Sequence, residues 1–234
     1  MNQKLIAIDL DGTTLNANSE LTQETIDTLH AVQKLGHKVA IVTGRPYRSS
    51  KEIYNQLNLG GPIVNFNGAL CHIPSKPEWD GRYHITLDTE LVLDLVAFNK
   101  TLPVDYLMVE GTELMYSNIT ELPDCPYYPK DQKPLLIHPT TKLKEKPTAV
   151  ALFSDLELQS EIKKKILHRY NNGIEVRTWG GSYPCLEVIT SGIHKAKAVE
   201  HLSRYYDIHQ KDILAFGDED NDMEMIQYAG HGVA

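Results

Sequence analysis

Ile6-Ala7-Ile8-Asp9-Leu10-Asp11-Gly12-Thr13-Thr14-Leu15 decides the fold, because an apolar run stops there at two carboxylates two residues apart, followed by glycine. Lys4 to Ile8 suits a strand buried on both faces, and Asp11-Gly12 turns the backbone out of the sheet. Asp9 therefore sits at the carboxyl end of a strand, which in an open parallel α/β sheet is the end where ligands bind. A carboxylate there can attack phosphorus, and an acid two residues on can protonate the leaving oxygen and then activate water. That chemistry assigns Asp9 as nucleophile and Asp11 as general acid/base. Two such charges about 4 Å apart repel by roughly 4 kcal/mol at an effective dielectric near 20, so the site needs cations. Read alone, Asp-Gly is also an ordinary turn dipeptide and Asp9 a strand terminator, and residues further along the chain must separate the two readings.

The next two segments supply partners. Thr22 to Thr25 has the form of a helix start, with Ile26, Leu29 and Val32 at helical spacing and Gly36 as the stop. Val39 to Val42 reads as a second buried strand, followed at once by Thr43-Gly44-Arg45-Pro46, with Pro46 opening another helix. Thr43 can bond a phosphoryl oxygen, Gly44 lets a backbone N–H approach it, and Arg45 can contact the phosphate or the leaving group. Helix capping is the competing role for Thr43. A helix through Ile53 and Leu57 and a third strand, Ile63 to Asn65, complete three βα units, and Asn67 lines the same rim or simply makes an Asn-Gly turn.

From about Trp79 the pattern changes. Tyr106 to Glu110 and Glu113 to Ser117 alternate around Gly111-Thr112 as a hairpin does, and Asn172-Gly173 and Gly180-Gly181 punctuate strands at Ile174 to Trp179 and Tyr183 to Thr190. Helices are expected over Thr89 to Lys100 and Asp155 to Tyr170, and six of the twelve prolines mark a long connection between Pro123 and Pro147. Residues 82–187 therefore read as an α+β domain inserted into an α/β core formed by 1–81 and 188–234. Lys163 to Lys165 read as a solvated helix face.

The first pattern then returns. Lys195 opens a helix carrying Ala198, Val199 and Leu202 on one side, where a cation suits the helix dipole poorly but a phosphate well. Lys197 is taken as solvent-facing and His194 as a surface residue. Ile213 to Phe216 is a fourth buried strand that ends in Gly217-Asp218-Glu219-Asp220-Asn221-Asp222. The alternating acids open like an EF-hand, but Met223 and Ala229 stand where its glycine and last glutamate belong. Asp218 and Asp222 are better read as oxygen ligands for Mg²⁺ beside Asp9, and Asn221 joins Thr43, Gly44, Arg45, Lys195 and Asn67 as a phosphate or substrate contact.

Composition bounds the function. The 234 residues are 41% hydrophobic and 23% charged, ordinary globular values, and a net charge of −8 argues against nucleic-acid or anionic-membrane partners. A small phosphorylated metabolite fits better. Cys71, Cys125 and Cys185 form no C-x-x-C pair and read as packing residues, and the N-terminal apolar run is too short for a signal peptide, so a reducing cytoplasm is expected. Oligomeric state is not encoded in anything legible here.

The set D-L-D-G-T (Asp9, Asp11), T-G-R-P (Thr43), Lys195 and G-D-E-D-N-D (Asp218, Asp222), in that order, resembles the haloacid dehalogenase superfamily of phosphohydrolases. Asn67 to Ala69, Leu186 to Val188 and the insertion after the third strand are similar to its Cof-like subfamily, type IIB, with a C2-type cap. The resemblance implies a Rossmann-like doubly wound core with sheet order 5-4-1-2-3. It also implies Asp9 as nucleophile, Asp11 as acid/base, Thr43 and Lys195 as phosphate ligands, and a Mg²⁺ held by Asp9, the Asp11 carbonyl and Asp218 with Asp222 in support. Two departures stand out. The family's G-x-S-K-G is Gly192-Ile193-His194-Lys195-Ala196 here, which predicts a small change of loop geometry. The family core also continues past G-V-A, whereas this sequence stops at Ala234, which predicts either an incomplete sequence or a sheet without a full edge strand.

The resulting expectation is a Mg²⁺-dependent phosphatase acting on sugar phosphates or phosphorylated cofactors through an aspartyl-phosphate. A phosphomutase on the same core and a non-catalytic phospho-binding or regulatory protein are the alternatives; release of free phosphate without a bisphosphate activator separates the first, and stable phosphorylation without turnover marks the second. Gly180, Ser182 and Glu187 are specificity candidates by position only.

Overall fold

In the computed structural model, residues 2–123, 132–170, 173–180 and 183–234 are described. Cys125, Asn172, Gly181 and Ser182, named above, lie outside them. Among the described residues the strands are β1 (Leu5–Ile8), β2 (Lys38–Val42), β3 (Ile63–Asn65), β4 (Leu70–His72), β5 (Tyr83–His84), β6 (Tyr106–Glu110), β7 (Met115–Ser117), β8 (Leu135–Leu136), β9 (Ala149–Phe153), β10 (Ile174–Trp179), β11 (Cys185–Thr190), β12 (Ile213–Phe216) and β13 (His231–Val233). The α-helices are α1 (Gln23–Lys34), α2 (Tyr47–Leu57), α3 (Thr89–Phe98), α4 (Gln159–Arg169), α5 (Lys195–Tyr205) and α6 (Met223–Tyr228). No helix among the described residues is long and apolar enough to cross a membrane.

The chain divides into two compact units, one of Met1–Arg45, Ser50–His84 and Ile193–Ala234, the other of Pro46–Ser49 and Ile85–Gly192. The first is built on a seven-stranded sheet of order β13-β12-β1-β2-β3-β4-β5. From β13 to β3 all pairings are parallel, which is the 5-4-1-2-3 order implied by the resemblance; β4 and β5 extend it antiparallel. One expectation is corrected here: the third strand is followed by a tight turn and a hairpin partner, so the third βα unit does not form. At the far edge a short parallel strand of three residues, His231 to Val233, pairs with Leu214 to Phe216.

Local chemistry explains the crossover. Thr22 caps α1 by accepting the Thr25 N–H at 3.2 Å, and Gly36 follows the helix at φ +89°, a left-handed geometry that glycine adopts without strain. The strand apolar residues Leu5, Ala7, Ala40, Val42, Val64, Ile213 and Ala215 then pack against Ala198, Val199 and Leu202 of α5. Fully burying each large aliphatic side chain contributes about 1.5–3 kcal/mol.

The second unit carries a six-stranded sheet of order β10-β11-β9-β6-β7-β8, antiparallel except for the β7–β8 pair. Period-two alternation separates its faces. Leu107, Val109, Val150, Leu152, Leu186 and Val188 meet α3 and α4, while Tyr106, Met108, Met115 and Phe153 cluster on the other side, with the Tyr106 and Phe153 rings stacked at 4.3 Å. The expected hairpin forms with its second strand starting at Met115, later than Glu113, because the Glu145 carboxylate takes the Glu113 and Leu114 N–H groups into a turn. The expected helices are present but begin or end in 3-10 turns, at Asn99–Thr101 and Leu156–Leu158. Lys164 and Lys165 are exposed, and Lys165 pairs with Glu161 one turn away at 2.6 Å.

Candidate active site

Parallel register brings the strand ends together. Ile8 lies opposite both Ile41 of β2 and Phe216 of β12, so Asp9, Thr43 and the loop after Gly217 emerge side by side at the carboxyl edge. The Asp9 N–H is the last rung, donating to the Phe216 carbonyl at 3.0 Å. Beyond it the chain turns through Leu10–Thr14, where Thr14 donates its hydroxyl to the Asp9 carbonyl and Gly12 adopts φ +74°. Glycine adopts this left-handed geometry without strain, and a Cβ there would lie 2.1 Å from an oxygen of Asp218, so that exposed side chain would have to move.

Asp9 is only 4% exposed, Lys195 1% and Asp222 0%. Lys195, the first residue of α5, donates its ammonium to Asp9 Oδ1 at 2.6 Å and to Asp222 Oδ1 at 2.7 Å. The lysine mismatched to a helix start is thus explained by two buried carboxylates rather than by solvent. Asp222 closes the single turn Asp220–Asp222, its other oxygen accepting the Glu219 N–H at 3.3 Å, and Gly217 leaves it room because a Cβ there would meet the Asp222 side chain at 2.3 Å. Asp218 is exposed and accepts the Thr13 hydroxyl at 2.9 Å. Burial pushes the Asp9 carboxyl up to about 6; Lys195 pulls against that rise and Asp222 adds to it.

One oxygen each of Asp9, Asp218 and Asp222 lies within 4.8 Å of the others. Three carboxylates against one ammonium leave a negative surplus of hard oxygen donors, the donor set that suits Mg²⁺. The residues present fit such an ion.

A second group forms around Thr43. Its hydroxyl accepts the Arg45 N–H at 3.1 Å, and the Arg45 guanidinium grips Asp11 with two hydrogen bonds, Nε to Oδ2 at 2.8 Å and Nη2 to Oδ1. The Asp11 side chain points at Arg45 and is half exposed, so its carboxylate stands apart from the three converging acids. Asn67, buried and at φ +54°, accepts the Asn221 amide at 3.0 Å, and Gly44 faces it closely, a Cβ there coming within 3.1 Å of its oxygen. Asp9, Lys195, Asp218 and Asp222 thus fall into the first group and Asp11, Thr43, Gly44, Arg45, Asn67 and Asn221 into the second. Lys197 is exposed, as expected, and His194 is half-buried. Sequence reading had not singled out Thr13, Thr14 or Gly217; the glycine directly before an acidic loop was the available signal for Gly217. Glu187, expected only by position, bonds the Trp179 indole N–H at 3.2 Å within the second unit, and burial raises its carboxyl.

A parallel sheet with this strand order and buried charge at its carboxyl edge define a hydrolase of the haloacid dehalogenase type. The model of the haloacid dehalogenase-like hydrolase family matches residues 6–234, and the chain belongs to that family. It is 36% identical over 231 residues to the 5-amino-6-(5-phospho-D-ribitylamino)uracil phosphatase YitU of Bacillus subtilis (strain 168), covering 98% of this chain and 85% of that protein. Among solved structures, a haloacid dehalogenase-like hydrolase from Bacteroides thetaiotaomicron superposes with a TM-score of 0.80 at 21% identity, covering 99% of this chain and 87% of that one. A subclass IIB sugar phosphatase gives 0.76, also at 21% identity, covering 97% and 85%. These two likenesses establish the fold.

Proposed function

We propose that the chain is a Mg²⁺-dependent phosphatase that hydrolyses small-molecule phosphate monoesters through an aspartyl-phosphate on Asp9. The observation that carries this reading is the buried Asp9 carboxylate at a strand end, 2.6 Å from an equally buried Lys195 and converging with Asp218 and Asp222. In the first step an Asp9 oxygen forms a bond to phosphorus as the ester P–O bond breaks, and Asp11 gives its proton to the leaving oxygen. In the second Asp11 takes a proton from water, whose oxygen bonds phosphorus while the Asp9–phosphorus bond breaks, returning the carboxylate and releasing phosphate. Both Asp11 oxygens accept from Arg45 in this structure, so proton donation requires Arg45 to release one of them. Lys195 and the Thr43 hydroxyl hold phosphoryl oxygens, and Arg45, Asn67, Asn221 and the Gly44 backbone line the remainder of the site. Mg²⁺ held by Asp9, Asp218, Asp222 and the Asp11 carbonyl would supply the charge neutralisation that lets an anionic ester approach a carboxylate.

The residues from about 82 to 187 are proposed as the cap that selects the leaving group. A small phosphorylated metabolite of the cytoplasm is the proposed partner, either a sugar phosphate or a phosphorylated cofactor, with no role for nucleic acid or membrane. The net charge of −8 supports a small anionic partner over a polyanionic one. The relative's name describes a phosphorylated ribityl chain joined to a uracil, which makes monoesters of that kind the first to try. Phosphate release is measured from such a panel and from p-nitrophenyl phosphate, with Mg²⁺ and with chelator. Metal-dependent turnover by the natural chain is expected, lost by at least about 10³-fold in Asp9→Asn, as expected for removal of a nucleophile. A folded Asp9→Asn protein as active as the natural chain would sink the reading.

A further inference from the structure

Three consecutive residues after β3 have positive φ: Phe66 at 52°, Asn67 at 54° and Gly68 at 108°. Glycine takes such a geometry freely, whereas a phenylalanine is forced into it, and strain of that kind persists only where the surroundings over-determine it. Gly68 also passes so close to the chain before α5 that a Cβ would lie 2.6 Å from the His194 carbonyl oxygen. Two backbone bonds tie the turn to the Thr43 loop, from the Phe66 N–H to the Arg45 carbonyl at 3.3 Å and from the Asn67 N–H to the Thr43 carbonyl at 3.1 Å.

A third tie comes from a side chain that the proposed chemistry does not use. Asn65, wholly buried, places its amide nitrogen 2.9 Å from the Arg45 carbonyl oxygen and 2.9 Å from the Ser50 hydroxyl oxygen, while its amide oxygen lies 3.2 Å from Nε2 of His72. A carbonyl can only accept, so the amide must turn its NH₂ towards Arg45. Its oxygen then faces His72, and Nε2 must carry a proton. Both donors and the acceptor of one amide are thereby committed to three different segments: the Thr43–Arg45 loop, α2 and β4.

We propose that Asn65, oriented by the Nε2–H of His72, is a positioning residue that fixes the main chain at Arg45, and with it the Thr43 hydroxyl and the guanidinium that holds Asp11. The inference rests on the phosphatase reading for its effect on turnover, while the tautomer of His72 follows from geometry alone. Burial, with Arg82 and His84 nearby, pushes the His72 ring down to about 4, which keeps it a neutral, single N–H donor at neutral pH. Asn65→Asp keeps the shape but turns an acceptor towards the Arg45 carbonyl. Asn65→Ala removes all three bonds. His72→Gln offers Asn65 an N–H at similar reach, and His72→Leu offers none.

The test has two arms. In the natural protein at pH 7, ¹⁵N shifts of the His72 ring are read for the tautomer; Nε2–H is expected, and an Nδ1–H or doubly protonated ring would overturn the proposal. In the second arm kcat and KM for p-nitrophenyl phosphate are measured per folded molecule. A lowered kcat, by about 10- to 100-fold in Asn65→Ala and His72→Leu, with His72→Gln restored to within about threefold of the natural chain, is expected of a displaced reacting group. Loss of folded protein with kcat unchanged in what remains would make Asn65 a structural residue only and overturn the proposal. A natural chain with the expected tautomer but no phosphate release would locate the failure in the phosphatase reading, and the positioning role would fall with it.

Discussion

Two ion-pair groups, one from each unit of this chain, sit in different surroundings, although the second unit also buries a pair, Arg48 with Glu110. In the first, Lys195, Asp9 and Asp222 form an ion triad that is at most 5% exposed at the side chain. In the second, Arg169 grips Asp94 with Nε and Nη2 at 2.8 and 2.9 Å, yet both side chains are nearly half exposed. The bonds are similar in length and unlike in consequence. A parallel sheet gathers its strand ends at one edge, so polar groups placed there are buried among one another and must be satisfied by one another. On the helix surfaces of the α+β unit the Arg169–Asp94 pair remains in water, where it contributes little.

Breaking each pair should expose that contrast. Lys195→Met would leave two carboxylates buried without their cation, and a loss of about 3–5 kcal/mol in urea unfolding is expected, together with loss of phosphate release. An unchanged urea midpoint would mean that the triad is solvated and the comparison false. Next in size is a pH effect that His72 contributes in the first unit. His72 has its pKa lowered from 6.5 to about 4 in the fold, so as pH falls the unfolded chain takes the proton first. Its stabilising contribution is complete above pH 6.5 and is lost on the way down to about 4, a change on the order of 3 kcal/mol. Asp9, raised from 3.8 to about 6, works in the opposite direction, because the folded chain takes that proton first and gains stability as pH falls from 6 to 3.8. The two effects offset each other in the natural protein. In metal-free buffer, therefore, His72→Gln should gain stability relative to the natural chain as pH falls from 6.5 to 4; parallel stability curves would contradict it. The smallest effect is expected in the second unit, where Asp94→Asn should leave the urea midpoint within experimental error.

Sequence legibility follows the same division. The core strands Leu5–Ile8, Lys38–Val42 and Ile213–Phe216 are continuous apolar runs ending in chemistry, so their positions could be anticipated, while their order followed only from the family resemblance. Lys195 announced itself by sitting where a helix dipole prefers an anion. By contrast β9, the central partner of both β6 and β11, is Ala-Val-Ala-Leu-Phe, a run whose small residues blur the alternation between faces, and it follows a proline-rich stretch that reads as loop. Leu70–His72 and Tyr83–His84 are too short to carry a period. The His72–Asn65 contact joins residues seven apart across a hairpin, a pairing that no spacing rule foretells. The bidentate grip of Arg45 on Asp11 escaped the sequence for a related reason: residue types named a phosphate contact and an acid, but only the adjacency of two strand ends made them partners.

The most direct measurement is to quench the enzyme with acid during turnover of p-nitrophenyl phosphate in Mg²⁺, reduce it with borohydride, and sequence the peptides by mass spectrometry. An acyl phosphate on Asp9 would be reduced to homoserine at position 9, and that conversion, absent without substrate, is the predicted result. Steady turnover with Asp9 unmodified, or with the reduced residue at another acid, would contradict the account.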